Sequence, residues 1–213
     1  ADAVIIAEEF IDFTRELSVL VARRPSGEER VYPVTETVQT DGICTHTFTP
    51  APDLSATQAD EIERLALRIA AELDVTGILA VELMQRADGT VVVNELAMRP
   101  HNTGHWSIDG AHTSQFENHL RAVADLPLGP TDARQPRAAM VNVLGGARDD
   151  LLAASAEVLA AEPRARVQLY GKSVVPGRKV GHVTVVGDDA ADVRARAQAA
   201  ADHLMGRDDS EGQ

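Results

Sequence analysis

Apolar and polar positions alternate along the chain in two periods, and these periods predict a mixture of strands and helices. Short apolar or alternating runs bounded by turn residues predict strands at residues 3–7, 16–23, 30–34, 78–85, 90–97, 138–144, 165–170 and 180–186. Longer segments with apolar residues every three or four positions predict helices at residues 55–73, 113–124, 151–161 and 190–204. Successive strands joined by short turns indicate an antiparallel sheet, so the pattern favours an α+β fold.

The most clearly marked helix begins after Ser55. Gln58 follows this serine at the spacing of a capping box. The apolar positions from Ile62 to Leu73 then recur at helical spacing, which predicts an amphipathic helix with a structural role.

A segment rich in proline divides the chain. Residues 127–137 contain three prolines and few apolar residues, which predicts a linker. We therefore expect one unit over residues 1–128, a small α+β unit over residues 137–205 and a flexible tail over residues 206–213.

Composition and charge narrow the classes of function. Of 213 residues, 44% are hydrophobic and 25% charged, as in ordinary globular proteins. The net charge of −13 argues against nucleic acid or an anionic membrane as a partner, although a local cationic pocket could still bind a small anion. Cys44 is the single cysteine, so no intrachain disulfide can form, which is typical of a reducing cytoplasm. The sequence has no run long and apolar enough to predict a membrane span and no secretory signal.

The hairpin around Asp88-Gly89 places two carboxylates opposite each other. A two-residue turn there pairs Glu82 with Glu95 on one face, among apolar neighbours that include Met84 and Val93. Like charges in that position destabilise a hairpin unless one is protonated or a cation lies between them. A divalent ion such as Mg²⁺, shared with substrate phosphates, would resolve the conflict. A solvated face, or a register shifted by one residue, is the alternative.

Polar residues follow this hairpin closely. Arg99, His101 and Asn102 come within a few residues of Glu95, and an arginine near a metal offers a planar fork for a carboxylate, bicarbonate or phosphate. The alternative is a surface arginine in a loop. His101, His105 and Asp109 could also form a zinc site if they lay on a helix, but Asn-Thr-Gly between the histidines favours a loop.

A second cationic segment lies near the C-terminus. Lys172, Arg178 and Lys179 surround a Pro-Gly turn in the sequence VPGRKVGHV. Such a turn in an acidic protein favours an anionic ligand, and an ordinary basic turn is the alternative.

Four motifs, in order, resemble one known family. They are EEFIDFTRELSVLVAR, YPVTETVQTDGI, NELAMRPHNTGHWSIDGAHTSQFENHLRAV and YGKSVVPGRKVGHVTV. Together they resemble the N5-carboxyaminoimidazole ribonucleotide synthases, ATP-grasp enzymes also described as the phosphoribosylaminoimidazole carboxylase ATPase subunit. The resemblance covers about residues 5–185.

The resemblance implies a fold and an activity. The expected fold is the C-terminal part of an ATP-grasp fold, an antiparallel sheet with helices, followed by a small β-rich C-terminal domain. The expected activity is an ATP-dependent ligase that carboxylates 5-aminoimidazole ribonucleotide with bicarbonate through carboxyphosphate, in de novo purine biosynthesis. The implied ligands are ATP, Mg²⁺, bicarbonate and aminoimidazole ribonucleotide, in a cytoplasmic homodimer.

The resemblance also implies roles for individual residues. Glu8, Glu9, Phe10 and Ile11 would line adenine from a strand, Glu16 would bind the ribose, and Gln39, Asn94 and Glu95 would lie at the nucleotide. Glu82 and Glu95 would bind magnesium, and Arg99, His101 and Asn102 would form the bicarbonate and carboxyphosphate site. Lys172, Arg178 and Lys179 would hold the 5′-phosphate of the ribonucleotide.

The family pattern also includes an N-terminal part with a phosphate-binding lysine and a glycine-rich lid, which we expect this chain to lack. Two alternatives therefore stay open beside the synthase: a non-catalytic fragment, and another ATP-grasp carboxylate–amine ligase.

Overall fold

The computed structural model describes residues 5–207. Its strands are β1 Arg15–Arg23, β2 Glu29–Val31, β3 Thr35–Thr40, β4 Ile43–Thr49, β5 Gly77–Gln85, β6 Val91–Ala97, β7 Arg137–Leu144, β8 Arg166–Leu169 and β9 Lys179–Gly187. Its helices are α1 Ala56–Glu72, α2 Ser107–Gly110, α3 Gln115–Val123, α4 Leu151–Ala161 and α5 Ala190–Met205, and Asn102–Gly104 form one 3₁₀ turn. This α+β architecture confirms the predicted fold class.

All nine described strands belong to one antiparallel sheet. Their order is β6-β5-β1-β3-β4-β7-β9-β8, and β2 pairs with the far end of β1. Strand β4 pairs directly with β7, so strands from both sides of the proline-rich segment share one sheet. The division into units at residues 1–128 and 137–205 stays a prediction.

The two faces of the sheet carry different partners, because side chains alternate along each strand. One face packs against α1 through residues such as Leu17 and Val19. The same face, further along the sheet, packs against α4 and α5 through residues such as Val141 and Val183. The opposite face is covered in part by the segment from Trp106 to α3, in a third apolar cluster.

That opposite face is apolar at one end of the strands and polar at the other. We call it the polar face. Its polar end begins at Glu16 and Ser18 of β1, and the residues paired with them across the sheet include Glu82, Thr35 and Thr37.

Several predicted elements need correction. The strand predicted at 3–7 is wrong over its described part: residues 5–7 have no regular structure, and Ile5 and Ile6 are 84% and 82% exposed. Residues 3 and 4 lie outside the described residues, as do residues 208–213 of the expected tail. Strands β3 and β4 and helix α2 were not predicted. The other strands and helices lie within a few residues of their predicted bounds.

No helix within residues 5–207 combines the length and apolar character that crossing a membrane requires.

The capping box at Ser55 forms as its sequence predicts. The Ser55 hydroxyl accepts a hydrogen bond from the Gln58 amide at 3.2 Å, and the Gln58 side chain accepts one from the Ser55 amide at 3.2 Å. Two backbone donors at the start of α1 are thus satisfied locally.

We predict that Ser55→Ala lowers the free energy of unfolding by about 1 kcal/mol. Ser55 is exposed, so the loss reports the cap and not a cavity. Urea denaturation at fixed pH measures it. Ser55→Asp should retain most of the stability, and Thr57→Ala, an exposed change in the same turn, is the matched control. Equal stabilities for Ser55→Ala and Thr57→Ala would contradict the prediction.

Candidate active site

Glu82 and Glu95 are paired directly across β5 and β6, as predicted. The expected two-residue turn does not produce this pairing. Arg86 and Thr90 close a three-residue loop, and a bulge in β6 at Asn94 then shifts the pairing by one residue. Because of the longer loop, Val92 and not Val93 lies opposite Met84, which corrects the predicted neighbours of the pair.

The pair lies in an electrostatically unfavourable position. Burial raises the pKa of Glu82, and the negative charges of Glu95 and Glu16 raise it further. Lys179 and Arg99 act in the opposite direction but do not overcome these effects. Burial also raises the pKa of Glu16. The arrangement therefore concentrates negative charge that a bound cation would stabilise.

The loop after β6 brings His101 to this pair. The His101 Nδ1 atom lies 3.6 Å from a Glu82 carboxylate oxygen and 3.0 Å from the Thr103 hydroxyl. Thr103 in turn shares a 2.7 Å hydrogen bond with the buried hydroxyl of Ser18. Burial lowers the pKa of His101, and the charges of Arg99 and Lys179 lower it further, against a raising effect of Glu95. Its ring is therefore neutral at pH 7.

Arg99 differs from its neighbours in exposure. It lies at the surface, and its guanidinium donates to the carbonyl oxygen of the adjacent Pro100 at 3.2 Å. The positive charge of Arg99 still acts on His101 and Glu82, because it lowers the pKa of both side chains.

Several buried polar atoms in this region have no hydrogen-bond partner within the described chain. Such atoms are costly unless a ligand or water satisfies them. Those on the polar face or the segments covering it are Thr47 Oγ1, Asn102 Nδ2, Trp106 Nε1, Asn142 Oδ1, His182 Nε2 and Thr184 Oγ1. Their number in one region is consistent with a site that binds a polar small molecule.

The basic segment divides into two parts. Lys172 and Arg178 are exposed; the Lys172 amine lies 5.3 Å from the centre of the Tyr170 ring, and Arg178 donates to the Ser173 hydroxyl at 2.8 Å. A bulge in β9 at Val180 turns Lys179 towards the polar face.

Lys179 is half-buried there. Burial lowers the pKa of its amine, and the nearby Cys44 and Glu82 raise it. Lys179 therefore lies within electrostatic range of Glu82 and also of Lys172, and it differs from the exposed Lys172 and Arg178 in its burial.

Some of the predicted nucleotide residues lie together at one edge of the site. Residues 8–11 line a surface cavity of about 370 Å³ together with Phe13, Met84, Val92, Val93 and Asn94. Residues 8–11 do not form the expected strand, and Phe10 is 91% exposed. Gln39 is paired with Cys44, on the strand next to the one that carries Glu16.

The zinc alternative is wrong. Within residues 5–207, no group of three or more His, Cys, Asp or Glu residues is arranged to hold a metal ion by itself. His105 Nδ1 is bonded to Gln115 at 3.0 Å, and Asp109 accepts from Gln168 at 3.1 Å, so these side chains have separate partners. Cys44 is buried, and burial raises the pKa of its thiol to about 11, which excludes a thiolate nucleophile at neutral pH.

The prediction of site residues missed an aromatic and imidazole cluster. The rings of His105 and His182 lie 5.3 Å apart, and Tyr170 OH lies 2.7 Å from His182 Nδ1. Burial lowers the pKa of His105 to about 4, with smaller effects of His101 and Lys179. Burial also lowers the pKa of His182 to about 3, and the adjacent His105 lowers it further. The sequence signal was the His-x₃-His spacing, which we interpreted as a possible metal site.

The described structure thus brings together Glu16, Glu82, Glu95, His101, Asn102 and Lys179. Residues 8–11 with Asn94 form one flank of this group, and the exposed turn with Lys172 and Arg178 forms the other. Which ligand each group binds stays a prediction.

Comparison with known proteins identifies the family. The ATP-grasp domain family matches residues 1–116, and the phosphoribosylaminoimidazole carboxylase C-terminal domain family matches residues 138–196. The N5-carboxyaminoimidazole ribonucleotide synthase of Mycobacterium tuberculosis is 52% identical over 208 residues, which is 96% of this chain and 48% of that protein. The chain spans about half the length of the curated relatives it matches.

Solved structures agree with this comparison. The N5-carboxyaminoimidazole ribonucleotide synthetase of Thermus thermophilus superposes with a TM-score of 0.81 at 43% identity, over 92% of this chain and 52% of that one. The synthase of Aspergillus clavatus in complex with ADP and 5-aminoimidazole ribonucleotide gives 0.83 at 35% identity, over 92% and 52%. The chain therefore belongs to the N5-carboxyaminoimidazole ribonucleotide synthase family of ATP-grasp proteins.

Proposed function

We propose that this chain contributes to ATP-dependent carboxylation of 5-aminoimidazole ribonucleotide, a step of de novo purine biosynthesis. In this reaction ATP phosphorylates bicarbonate to carboxyphosphate, with release of ADP. The amine of the ribonucleotide then takes the carboxyl group, and phosphate and a proton are released. The products are N5-carboxyaminoimidazole ribonucleotide, ADP and phosphate.

One observation carries the proposal: Glu82 and Glu95 are directly opposed beside the His101 loop. A structural hairpin gains nothing from two like charges in that position. In a site that binds a metal cation together with anionic phosphates, the cation would stabilise both carboxylates.

The residues present fit a magnesium ion. Two carboxylates provide hard oxygen ligands, and Mg²⁺ is commonly held by one or two carboxylates together with substrate phosphates. When bound, the ion would neutralise charge on the phosphate oxygens of ATP. We assign its protein ligands to Glu82 and Glu95, with Asn94 beside the phosphates.

The nucleotide would bind along the adjoining edge. The cavity lined by residues 8–11, Val93 and Asn94 has the size of a small-molecule site. We assign the adenine to this cavity, the ribose hydroxyls to Glu16, and a supporting position near the nucleotide to Gln39.

The loop of Arg99, His101 and Asn102 would hold bicarbonate and then carboxyphosphate. Arg99 provides a fixed positive charge, and the buried Asn102 amide nitrogen, which also interacts with the Cys44 thiol, can donate to an anion. The neutral ring of His101 can accept the proton that the amine loses. Holding the reactants in line is the main catalytic contribution, because phosphoryl transfer needs positioning and charge neutralisation.

The ribonucleotide would place its 5′-phosphate at the exposed turn. Lys172 and Arg178 supply two cations at this surface of an acidic protein. Lys179, predicted with them, instead lies beside Glu82 and Cys44, so we assign it to the reacting anions at the centre of the site.

Two alternatives differ in their consequences. Because the chain spans about half of its relatives, a fragment that binds the ribonucleotide without turnover is the second candidate. A ligase with another amine acceptor would turn over ATP independently of aminoimidazole ribonucleotide.

We further propose a cytoplasmic homodimer that binds neither nucleic acid nor membrane. The net charge of −13 disfavours binding to nucleic acid or an anionic membrane. The free thiol of Cys44 supports a reducing compartment such as the cytoplasm. Exposed apolar residues on α3, which include Leu120 at 69% and Val123 at 56%, support a contact between copies.

We predict that phosphate release from ATP by this chain, with bicarbonate and Mg²⁺, is stimulated by aminoimidazole ribonucleotide if the site is complete. A coupled phosphate assay with and without the ribonucleotide measures it. Release without stimulation would favour another acceptor. No release, with ribonucleotide binding retained in calorimetry, would identify a non-catalytic fragment.

We predict that Glu82→Gln stabilises the metal-free protein increasingly as pH rises. The pKa of Glu82 is raised in the folded state, so its stabilising contribution is present below 4.5 and is lost as pH rises through the folded value. The variant lacks this loss, so its stability advantage grows as pH rises from 4.5 through the folded pKa of Glu82 and then stays constant. Urea denaturation across that window measures it.

Glu162→Gln is the control, because its effect on stability should depend on pH in the opposite direction. The hydrogen bond from Arg196 lowers the pKa of Glu162, so wild-type Glu162 stabilises the protein at neutral pH and loses this effect in acid.

Added Mg²⁺ should raise the melting temperature of wild type more than that of Glu82→Gln. A pH-independent difference for Glu82→Gln, together with equal magnesium effects, would contradict the assignment.

We predict that Arg178→Gln weakens binding of aminoimidazole ribonucleotide about 10- to 100-fold, because a charged hydrogen bond to phosphate contributes about 1.5–3 kcal/mol. Affinity for ADP should be unchanged. Isothermal titration measures both. Arg164→Gln, at an exposed arginine elsewhere in the C-terminal part, is the matched control. Equal ribonucleotide affinities for the two variants would place the phosphate elsewhere.

A further inference from the structure

Gln115, the first residue of α3, makes a two-point contact with the loop that carries His101. Its side-chain oxygen accepts from the His101 amide at 2.8 Å, and its side-chain nitrogen donates to the His101 carbonyl oxygen at 2.7 Å. One planar amide thus pairs with both backbone groups of one residue, in the manner of a strand partner.

The same side chain reaches a second histidine. The Gln115 nitrogen lies 3.0 Å from His105 Nδ1, so it donates there too, and both of its protons are used. This bond assigns the unprotonated position of the neutral His105 ring to Nδ1. His105 stays neutral near physiological pH, because burial lowers its pKa to about 4.

Gln115 is itself held firmly. Its side chain is completely buried, and its backbone amide donates to the Ser107 hydroxyl at 2.9 Å. The Ser107 hydroxyl in turn donates to the Gly104 carbonyl oxygen at 2.6 Å. A Cβ atom at Gly104 would lie 2.7 Å from the Gln115 side-chain oxygen, so glycine leaves the room that this side chain occupies.

The helix behind Gln115 is anchored at two further points. Asn118 exchanges hydrogen bonds with the backbone of Gly129 at 2.8 and 3.2 Å, and His119 Nδ1 accepts from the Ile78 amide of β5 at 3.1 Å. The loop is therefore attached through Gln115 to an element fixed on the sheet.

We propose that Gln115 is a positioning residue that fixes the His101–Asn102 segment against the Glu82–Glu95 pair and sets the tautomer of His105. The link to bicarbonate rests on the function proposed above for that loop. The positioning itself is a property of the folded chain and can be measured without turnover.

The first test compares Gln115→Leu with Asn118→Leu. Both remove a buried amide that bonds to backbone, but Asn118 bonds to Tyr32 and Gly129, away from the loop. We expect amide hydrogen exchange at His101 to accelerate about tenfold or more in Gln115→Leu, as for the loss of one hydrogen bond. Exchange should accelerate much less in Asn118→Leu, which removes an anchor of the helix but keeps the direct Gln115–His101 contact. Equal exchange at His101 in both variants would overturn the proposal.

Gln115→Glu provides a second variant of nearly the same shape. The carboxylate still accepts from the His101 amide but cannot donate to the His101 carbonyl oxygen or to His105. We expect ring-nitrogen NMR to show the His105 proton moving to Nδ1 and its pKa rising above about 4, because a nearby carboxylate favours the charged imidazole. An unchanged His105 spectrum would contradict the assigned contact, even if Gln115→Leu fails to fold.

The functional arm titrates each protein with bicarbonate in the presence of Mg²⁺ and ADP. We expect bicarbonate-dependent shifts of the His101 and Asn102 amides to need about tenfold more bicarbonate in Gln115→Leu than in Asn118→Leu. If wild type shows no bicarbonate response while the exchange and tautomer results hold, the proposed function of the loop fails and the positioning role stands. If bicarbonate binds equally to both variants, the functional part of the inference is wrong.

Discussion

The structure depends on one constraint, the pairing register of a single antiparallel sheet of nine described strands. In such a sheet a shift of one residue moves every side chain to the opposite face. The register found here sends Leu17 and Val19 to the helix-covered face, and Glu16 and Ser18 to the polar face. Burial of Leu17 and Val19 stabilises the sheet. That stability holds Glu16 and Ser18 in positions that these polar side chains would not adopt alone.

Two bulges adjust this register where the site requires it. The bulge at Asn94 brings Glu95 opposite Glu82, and the bulge at Val180 turns Lys179 towards the same face. Each extra residue re-aims one charged side chain while the rest of its strand keeps its pairing. The result is a local balance in which two partly buried carboxylates, Glu16 and Glu82, with raised pKa values lie near the half-buried amine of Lys179 with a lowered one. Membership of the ATP-grasp family gives this unfavourable arrangement a chemical context, since the function proposed above places a metal and phosphates there.

The loop that carries His101 and Asn102 is held by contacts from outside its own sequence. Thr103 bonds to Ser18 of β1, and Gln115 of α3 bonds to both backbone groups of His101. The loop therefore takes its position from the sheet on one side and from an anchored helix on the other. This two-sided support explains how an irregular segment can present polar groups in a fixed geometry.

The sequence by itself determined the features that arise from neighbouring residues. The capping box of Ser55 and Gln58 predicted the start of α1, and α4 was predicted with the bounds it has. The four motifs predicted the family, and the hairpin pattern predicted that Glu82 opposes Glu95, although two unpredicted features, a longer turn and a bulge, compensate to give that pairing.

Only the tertiary structure decided the rest. Strands β3 and β4 were missed because their buried hydroxyls, such as those of Thr35 and Thr49 at 2.7 Å, satisfy each other across strands and look merely polar in sequence. The contact of Gln115 with His101 and the position of Lys179 also depend on residues distant along the chain or on a bulge. The physical reason is the same in each case: caps and periodicity act within a few residues, whereas the partner of a buried polar group is chosen only when the chain folds.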